Sequence, residues 1–195
     1  MQHYFSKKQT SDLNLKKIQI KAFGNIYELF SGSGVFSKDK LDTGSKLLIE
    51  NSFIEDKWSV LDLGCGIGVV GILIKKQYLD INLSMSDVNE RAISLSKKNL
   101  RLHKLKAKVI QSNIYENITE KFNTILSNPP QTAGKKVCFK IIEQAPNFLK
   151  NGGFLQIVAR HKKGGKSLKE KMFEVFGNVE EIAKGSGYRI YASKN

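Results

Sequence analysis

The chain has 195 residues, of which 41% are hydrophobic and 26% charged, enough for one sizeable core and too few for two ordinary domains. No apolar run approaches the roughly 20 residues of a membrane span, and MQHYFSKKQTSDLN at the start lacks the apolar segment of a secretory signal, so a cytoplasmic protein is expected. Thirty-two Lys and Arg against eighteen Asp and Glu leave a net charge of +14, which points to a polyanion bound through phosphate contacts and counterion release, with plain solubility as the alternative.

The basic residues are grouped. Lys97, Lys98, Arg101, His103, Lys104, Lys106 and Lys108 crowd one helix end and loop, and Arg160, His161, Lys162, Lys163 and Lys166 surround two glycines. Cys65 and Cys138 are far apart and belong to no CxxC or Cys/His spacing, so neither a disulfide framework nor a metal site is expected.

In chain order, KKIQIKAFGNIYELF alternates apolar and polar residues on both sides of Gly24-Asn25, a hairpin signal. A glycine- and serine-rich stretch follows, then a short helical run, SKLLIENSF. From residue 58 the pattern becomes strand, turn, helix, repeated. WSVLDL, INLSMS, AKVIQ, NTILS and GFLQIVA read as strands. VVGILIKKQY, NERAISLSKKNL, VCFKIIEQA and SLKEKMFEVF read as helices, the third ending at Pro146 before a separate short segment, NFLK, and the last stopped by Gly177. NVEEIA and GYRIYAS form a final antiparallel pair around Gly185-Ser186-Gly187. The expectation is an α/β fold: a doubly wound, seven-stranded Rossmann-like sheet with its last two strands antiparallel. It forms a single domain over residues 1–195, with an N-terminal β-hairpin in 1–33 and the cofactor-binding catalytic core in 34–195.

VLDLGCGIGVVG joins the first core strand to its helix, where a doubly wound sheet binds ligands. Read from Gly66 it is a formal GxGxxG, a dinucleotide signal. Read from Asp62 it is DxGxGxG, which resembles motif I of S-adenosylmethionine-dependent methyltransferases. The second reading is favoured, because Asp62 can accept hydrogen bonds from the cofactor's ammonium, directly or through water, whereas a pyrophosphate would be repelled. Gly64, Gly66 and Gly68 let the backbone approach a ligand closely. Asp87 ends the next strand at the distance where an acid reaches a ribose diol. Its alternative role is a helix N-cap, which Asn89 could fill instead. Asn113, after the third strand, is placed either to meet an adenine amino group or simply to form a turn.

ILSNPP ends the fourth strand. Two prolines cannot continue a ladder, so Asn128 stands at the strand tip with Pro129 and Pro130 stiffening the backbone. Its side-chain oxygen, with the Ser127 and Pro129 backbones, forms an array of acceptors suited to a planar NH2 group. Such a nitrogen needs positioning and electrostatic help more than a strong base, which agrees with the lack of an obvious catalytic His or Cys. His103 and His161 lie in basic loops, as phosphate contacts or inert groups.

These residues resemble the RsmC-like "small domain" methyltransferases, which methylate guanine N2 in small-subunit ribosomal RNA. GVFSKDKLDTGSKLL (34–48) looks like the family's pre-core segment, and VLDLGCGIGV, SDV, SNIYE, ILSNPP and GGFLQIVA match in order. Stand-alone archaeal proteins of similar length look most alike, down to VFGNVE and GYR. The resemblance implies that Asp62, Gly64, Cys65, Gly66, Gly68, Asp87, Val88, Asn113, Ile114 and Asn128 hold S-adenosyl-L-methionine. It implies that Asn128, Pro129 and Pro130 act on the target amino group, and that Phe36 and Thr43 lie in a segment closing over the cofactor. Two features depart from the family. The aromatic that commonly follows NPP is here Gln131, so stacking on the base must come from elsewhere, such as Phe36 or Phe5. The N-terminal domain of the bacterial relatives is also replaced by a hairpin.

The expected activity is methyl transfer to an exocyclic amino nitrogen of a base in RNA, with guanine N2 of rRNA or tRNA, free or in a ribosomal particle, the leading target. Lys135, Lys136, Arg160, Lys162, Lys163 and Lys166 are the expected RNA contacts. No membrane or metal partner is expected, and nothing in the sequence assigns an oligomeric state. Two alternatives compete. Glutamine-N5 protein methyltransferases also use NPP, but with a helical N-terminal domain and a tyrosine after the motif. A non-catalytic RNA-binding module on the same fold would not need Asp62, Asp87 and Asn128 together.

Overall fold

The computed structural model describes residues 7–9, 12–35, 41–130 and 134–195; Phe5, Phe36 and Gln131 lie outside the described residues. Strands β1 (Lys16–Ala22) and β2 (Asn25–Ser31) form the hairpin, in register from Lys16 with Ser31 to Ala22 with Asn25. The turn is one residue earlier than the sequence suggests. Phe23 and Gly24 both have positive φ, 50° and 73°, as the two-residue turns that match strand twist require.

The remaining strands are β3 (Ser59–Leu63), β4 (Asn82–Asp87), β5 (Lys108–Gln111), β6 (Phe122–Ser127), β7 (Leu149–Arg160), β8 (Glu180–Gly185) and β9 (Tyr188–Lys194). They form one sheet in the order β5-β4-β3-β6-β7-β9-β8, parallel from β5 to β7 and antiparallel at β9 and β8. The direction of winding reverses between β3 and β6, which opens a crevice beyond their carboxyl ends.

Alternate residues of the central strands feed two cores. Val60, Met85, Leu126, Val158 and Ile190 pack under α1 (Thr43–Asn51), α2 (Val69–Gln77), α3 (Glu90–Leu102) and the hairpin. Leu61, Ile125, Leu155, Ile157 and Tyr191 pack under α4 (Lys135–Phe148) and α5 (Lys166–Phe176) on the other face. Burial on both faces explains why these strands read as continuous apolar runs.

Two boundaries differ from expectation. Helix α4 runs through Pro146 to Phe148 instead of stopping there. Proline in the last turn forfeits one hydrogen bond, while the fully buried Ala145 and Leu149 on either side anchor the chain. Strand β7 then begins at Leu149, before the two glycines, because Leu149 pairs with Phe122 across a register shift. The hairpin is held to α3 by the buried Asn99. Its amide donates to the Phe30 and Ile67 carbonyls at 3.0 and 2.9 Å, and its oxygen accepts from Phe30 N at 2.6 Å. His103 contributes a contact with the Glu28 carbonyl at 2.8 Å, a structural role that explains its place in a basic loop.

Candidate active site

The carboxyl ends of β3, β4, β5, β6 and β7 surround a cavity of about 520 Å³. On the β3 side its floor is the glycine loop. The amides of Gly64 and Cys65 both donate to the Ser86 carbonyl at 2.8 and 2.9 Å, and Gly68 N closes a tight turn on the Cys65 carbonyl. Gly64 and Gly66 line the cavity with φ of 77° and 56°, and a Cβ on either would meet no described atom within 4 Å. Bare backbone thus faces open space sized for a ligand. Gly68 and Cys65 do not line it: Gly68 is the N-cap of α2, in the left-handed conformation, and Cys65 is buried beneath the loop.

Asp62 also sits behind the loop. It is 2% exposed, and its Oδ2 accepts from Gly71 N at 2.8 Å, tying strand β3 to the first turn of α2. Burial, reinforced by Asp87, pushes its carboxyl up to about 7 despite that hydrogen bond. Asp87 does line the cavity. Its Oδ2 accepts from Gly66 N and its Oδ1 from Asn89 N, both at 2.8 Å. The Val88 backbone amide also favours this carboxylate, whose oxygens line the cavity as acceptors suited to a vicinal diol. The N-cap of α3 is Asn89, which accepts from Arg91 N and Ala92 N. Val88, Asn113 and Ile114 complete this wall. The Asn113 amide nitrogen donates to Glu116 at 2.7 Å, which turns its oxygen outward as an acceptor.

Across the switch point, Asn128, Pro129 and Pro130 form the opposite wall. Ser127 Oγ donates to the Leu63 carbonyl at 2.9 Å, locking the tips of β6 and β3 together. The Asn128 amide nitrogen donates to Asp42 Oδ1 and to Ser45 Oγ, both at 3.0 Å. A carboxylate can only accept, so Asp42 decides which end of the amide faces it and leaves the Asn128 oxygen as the end free to meet a ligand. Asp42 also caps α1 by accepting from Ser45 N at 3.0 Å. Sequence reasoning missed Asp42 and Ser45. Their signals were a helix start, Asp-Thr-Gly-Ser, and a place in the pre-core segment 34–48, but nothing there pointed to a partner 86 and 83 positions away.

The expected RNA contacts divide. Arg160 and Lys163 line the cavity. Lys162 and Lys166 are exposed beside it in and after the irregular turn His161–Gly165, while Lys135 and Lys136 occupy the exposed first turn of α4, outside the cavity wall. His161 points away, its Nδ1 2.7 Å from the Tyr191 hydroxyl. Thr43 is the first residue of α1.

The model of the methyltransferase small domain matches residues 26–192, nearly the whole sheet and its helices. The chain belongs to the methyltransferase small domain family. Among members, the uncharacterized protein YbxB of Bacillus subtilis (strain 168) is 38% identical over 99% of this chain and 98% of its own. The ribosomal RNA small subunit methyltransferase C of Photorhabdus laumondii is 41% identical over 81% of this chain and 47% of its own. The chain spans about half the length of such methyltransferase C relatives. Among solved structures, the T. thermophilus 16S rRNA N2 guanine methyltransferase RsmC, in complex with AdoMet and guanosine, superposes with a TM-score of 0.81 at 22% identity, covering 96% of this chain and 52% of that one. At that identity the likeness is one of fold. It extends over the sheet and its helices, covering 96% of this chain.

Proposed function

We propose that this chain transfers a methyl group from S-adenosyl-L-methionine to an exocyclic amino nitrogen of a base in RNA, with guanine N2 of ribosomal RNA as the target. The observation that carries the reading is the Asn128 amide, held by Asp42 and Ser45 so that its oxygen is the end left for a ligand. The glycine loop and Asp87 stand on the facing wall of the same cavity.

S-adenosyl-L-methionine fits the loop side: open backbone at Gly64 and Gly66, a carboxylate at Asp87 with lone pairs for a ribose diol, and an outward-turned oxygen at Asn113. When bound, it supplies an electrophilic methyl on a sulfonium. Asp62 acts from behind, through Gly71, by fixing the loop and the start of α2. The chain's own task is at the amine. An NH2 group conjugated to a purine is a weak nucleophile because its lone pair is delocalised into the ring. Asn128 Oδ1 and a neighbouring backbone carbonyl accept from its two N–H groups, which turns the lone pair out of the ring plane. Pro129 and Pro130 preorganise these acceptors, so no reorganisation is needed as charge develops on nitrogen. The amine proton becomes acidic as the new bond forms and leaves to water. Lys163 meets a flanking phosphate, and the +14 charge raises the encounter rate with RNA.

The hairpin and core act together as one catalytic unit in the cytoplasm. The test is Asn128→Ala. Tritium transfer from the labelled cofactor to cell-extract RNA is expected to fall by about 10²-fold or more, the scale of losing one preorganised polar group at a reacting centre, with cofactor affinity little changed. Wild-type transfer by the variant, or label appearing in protein instead of RNA, overturns the reading. Mass spectrometry of nucleosides from RNA methylated by the wild-type chain names the base.

A further inference from the structure

The wall between the Asn128 tip and the basic turn holds a feature that the proposed chemistry does not use. Tyr188, the first residue of β9, is half-buried and lines the cavity with Asp42, Asn128, Pro129, Arg160 and Lys163; it is the aromatic side chain in the wall among the described residues. It stands opposite Arg160 in the β7–β9 register, at the carboxyl end of the strand next to β6. Arg160 Nε donates to its hydroxyl at 2.8 Å, and the guanidinium carbon lies 5.2 Å from the ring centroid.

The ring is close to the amide-fixing group. A Cβ on Gly44 would come within 2.9 Å of Tyr188 Cε1 and 3.1 Å of Asp42 Oδ1. Glycine at 44 therefore leaves room for the ring beside the residue that orients Asn128. One side of the cavity thus combines an oriented acceptor, an aromatic ring with a guanidinium over one of its faces, and the charges of Arg160 and Lys163.

We propose that Tyr188 is the stacking platform for the target base, with Arg160 holding the ring and Lys163 meeting a flanking phosphate. The proposal rests on the reading that the substrate is an RNA base. It accounts for position 131, where a glutamine follows NPP and no ring is available. A base drawn out of its helix must be met by aromatic faces as well as by hydrogen bonds at its edge. An NH2 held at Asn128 places the rest of the purine along the wall that Tyr188 occupies. Stacking on an aromatic contributes roughly 1–3 kcal/mol per base, about 5- to 150-fold in affinity at 1.4 kcal/mol per tenfold.

A single-stranded RNA pentamer carrying one central 2-aminopurine is a direct probe, because its amino group occupies the guanine N2 position and its fluorescence is quenched by stacking. The wild-type chain is expected to quench it. Tyr188→Leu should bind it about 5- to 150-fold more weakly, with quenching lost, while cofactor affinity stays within about twofold and the melting temperature reports any structural loss. Tyr188→Trp should restore quenching and affinity, which a side chain serving only to fill space beside Gly44 would not achieve. Tyr188→Phe keeps the face but not the bond from Arg160, so it should fall between wild type and Tyr188→Leu. The proposal is overturned if Tyr188→Leu quenches and binds as wild type does, or if Tyr188→Trp, folded, binds as poorly as Tyr188→Leu. In either case continued methyl transfer to RNA by the wild-type chain leaves the amino-methyltransferase reading standing. A wild-type chain that neither binds the pentamer nor methylates RNA removes both.

Discussion

Asp42 does two jobs with one oxygen: it caps α1 and orients Asn128. The two can be separated. Asp42→Ala loses the cap, worth about 1 kcal/mol, and frees the Asn128 amide to present its NH2 to the substrate amine, donor against donor. Transfer is expected to fall at least ~10-fold with cofactor affinity unchanged, whereas Asp42→Asn keeps an accepting oxygen and a good cap and should retain most activity. Steady-state kinetics and thermal melts on the two variants check this. Asp62 sets a second residue-scale expectation. Its folded carboxyl titrates at about 7, against an ordinary value of 3.8. The folded state therefore holds a proton that the unfolded chain has released between these values. Any stability tied to that proton is present below about pH 4 and lost as pH rises through about 7. Asp62→Asn keeps the bond from Gly71 and removes the titration. Denaturant melts should show the variant gaining on wild type by up to about 4 kcal/mol between pH 4 and 8.

At the scale of elements, close packing positions the glycine loop. Helix α2 lies so near β4 that a Cβ on Gly71 would come 2.7 Å from Met85 Sδ and 3.1 Å from Asp62 Oδ2. Met85 is fully buried and has nowhere to retreat. Gly71→Ala, which ought to favour a helix by propensity, is expected to destabilise by about 1–3 kcal/mol through overpacking. It should also weaken cofactor binding, since α2 carries the loop; calorimetry and melting together report both. The hairpin depends on one buried amide. Asn99→Ala strips partners from the Phe30 amide and carbonyl and from the Ile67 carbonyl of the glycine loop. A loss of about 2–4 kcal/mol is expected from groups left unpaired. Hydrogen exchange should show Phe30 and the loop losing protection together.

For the whole molecule, the charge and the cavity face the same task. A chain at +14 that neutralises several phosphates should lose RNA affinity steeply with salt, with a logarithmic slope of about −0.7 per phosphate on a single strand. Removing Lys163 should reduce that slope by close to one contact. Removing Lys135 should change it little, because Lys135 stands outside the cavity wall. Filter binding across a salt series, with wild type and both variants, measures this directly.

Periodicity and glycine placement along the chain were enough to establish the doubly wound sheet, the hairpin, the glycine loop and the strand-tip asparagine. Each of these is written within a dozen neighbouring residues, where alternation, β-branching and the missing N–H of proline act locally. Asp87 and Asn128 were legible for the same reason: they end strands whose carboxyl edge is where such sheets bind ligands. The end of α4 was misread because burial of Ala145 and Leu149 outweighs the single bond that Pro146 forfeits. The folded chain alone decided that Asp62, Cys65 and Gly68 stand behind the loop, that Asp42 and Ser45 set the direction of Asn128, and that Tyr188 shares its cavity. Asp42 and Ser45 lie 86 and 83 positions from Asn128 in the chain, and Tyr188 lies 60 positions beyond it. Only the packing of α1 against β7 and β9, beside the tip of β6, brings Asp42 and Ser45 within hydrogen-bonding distance of Asn128.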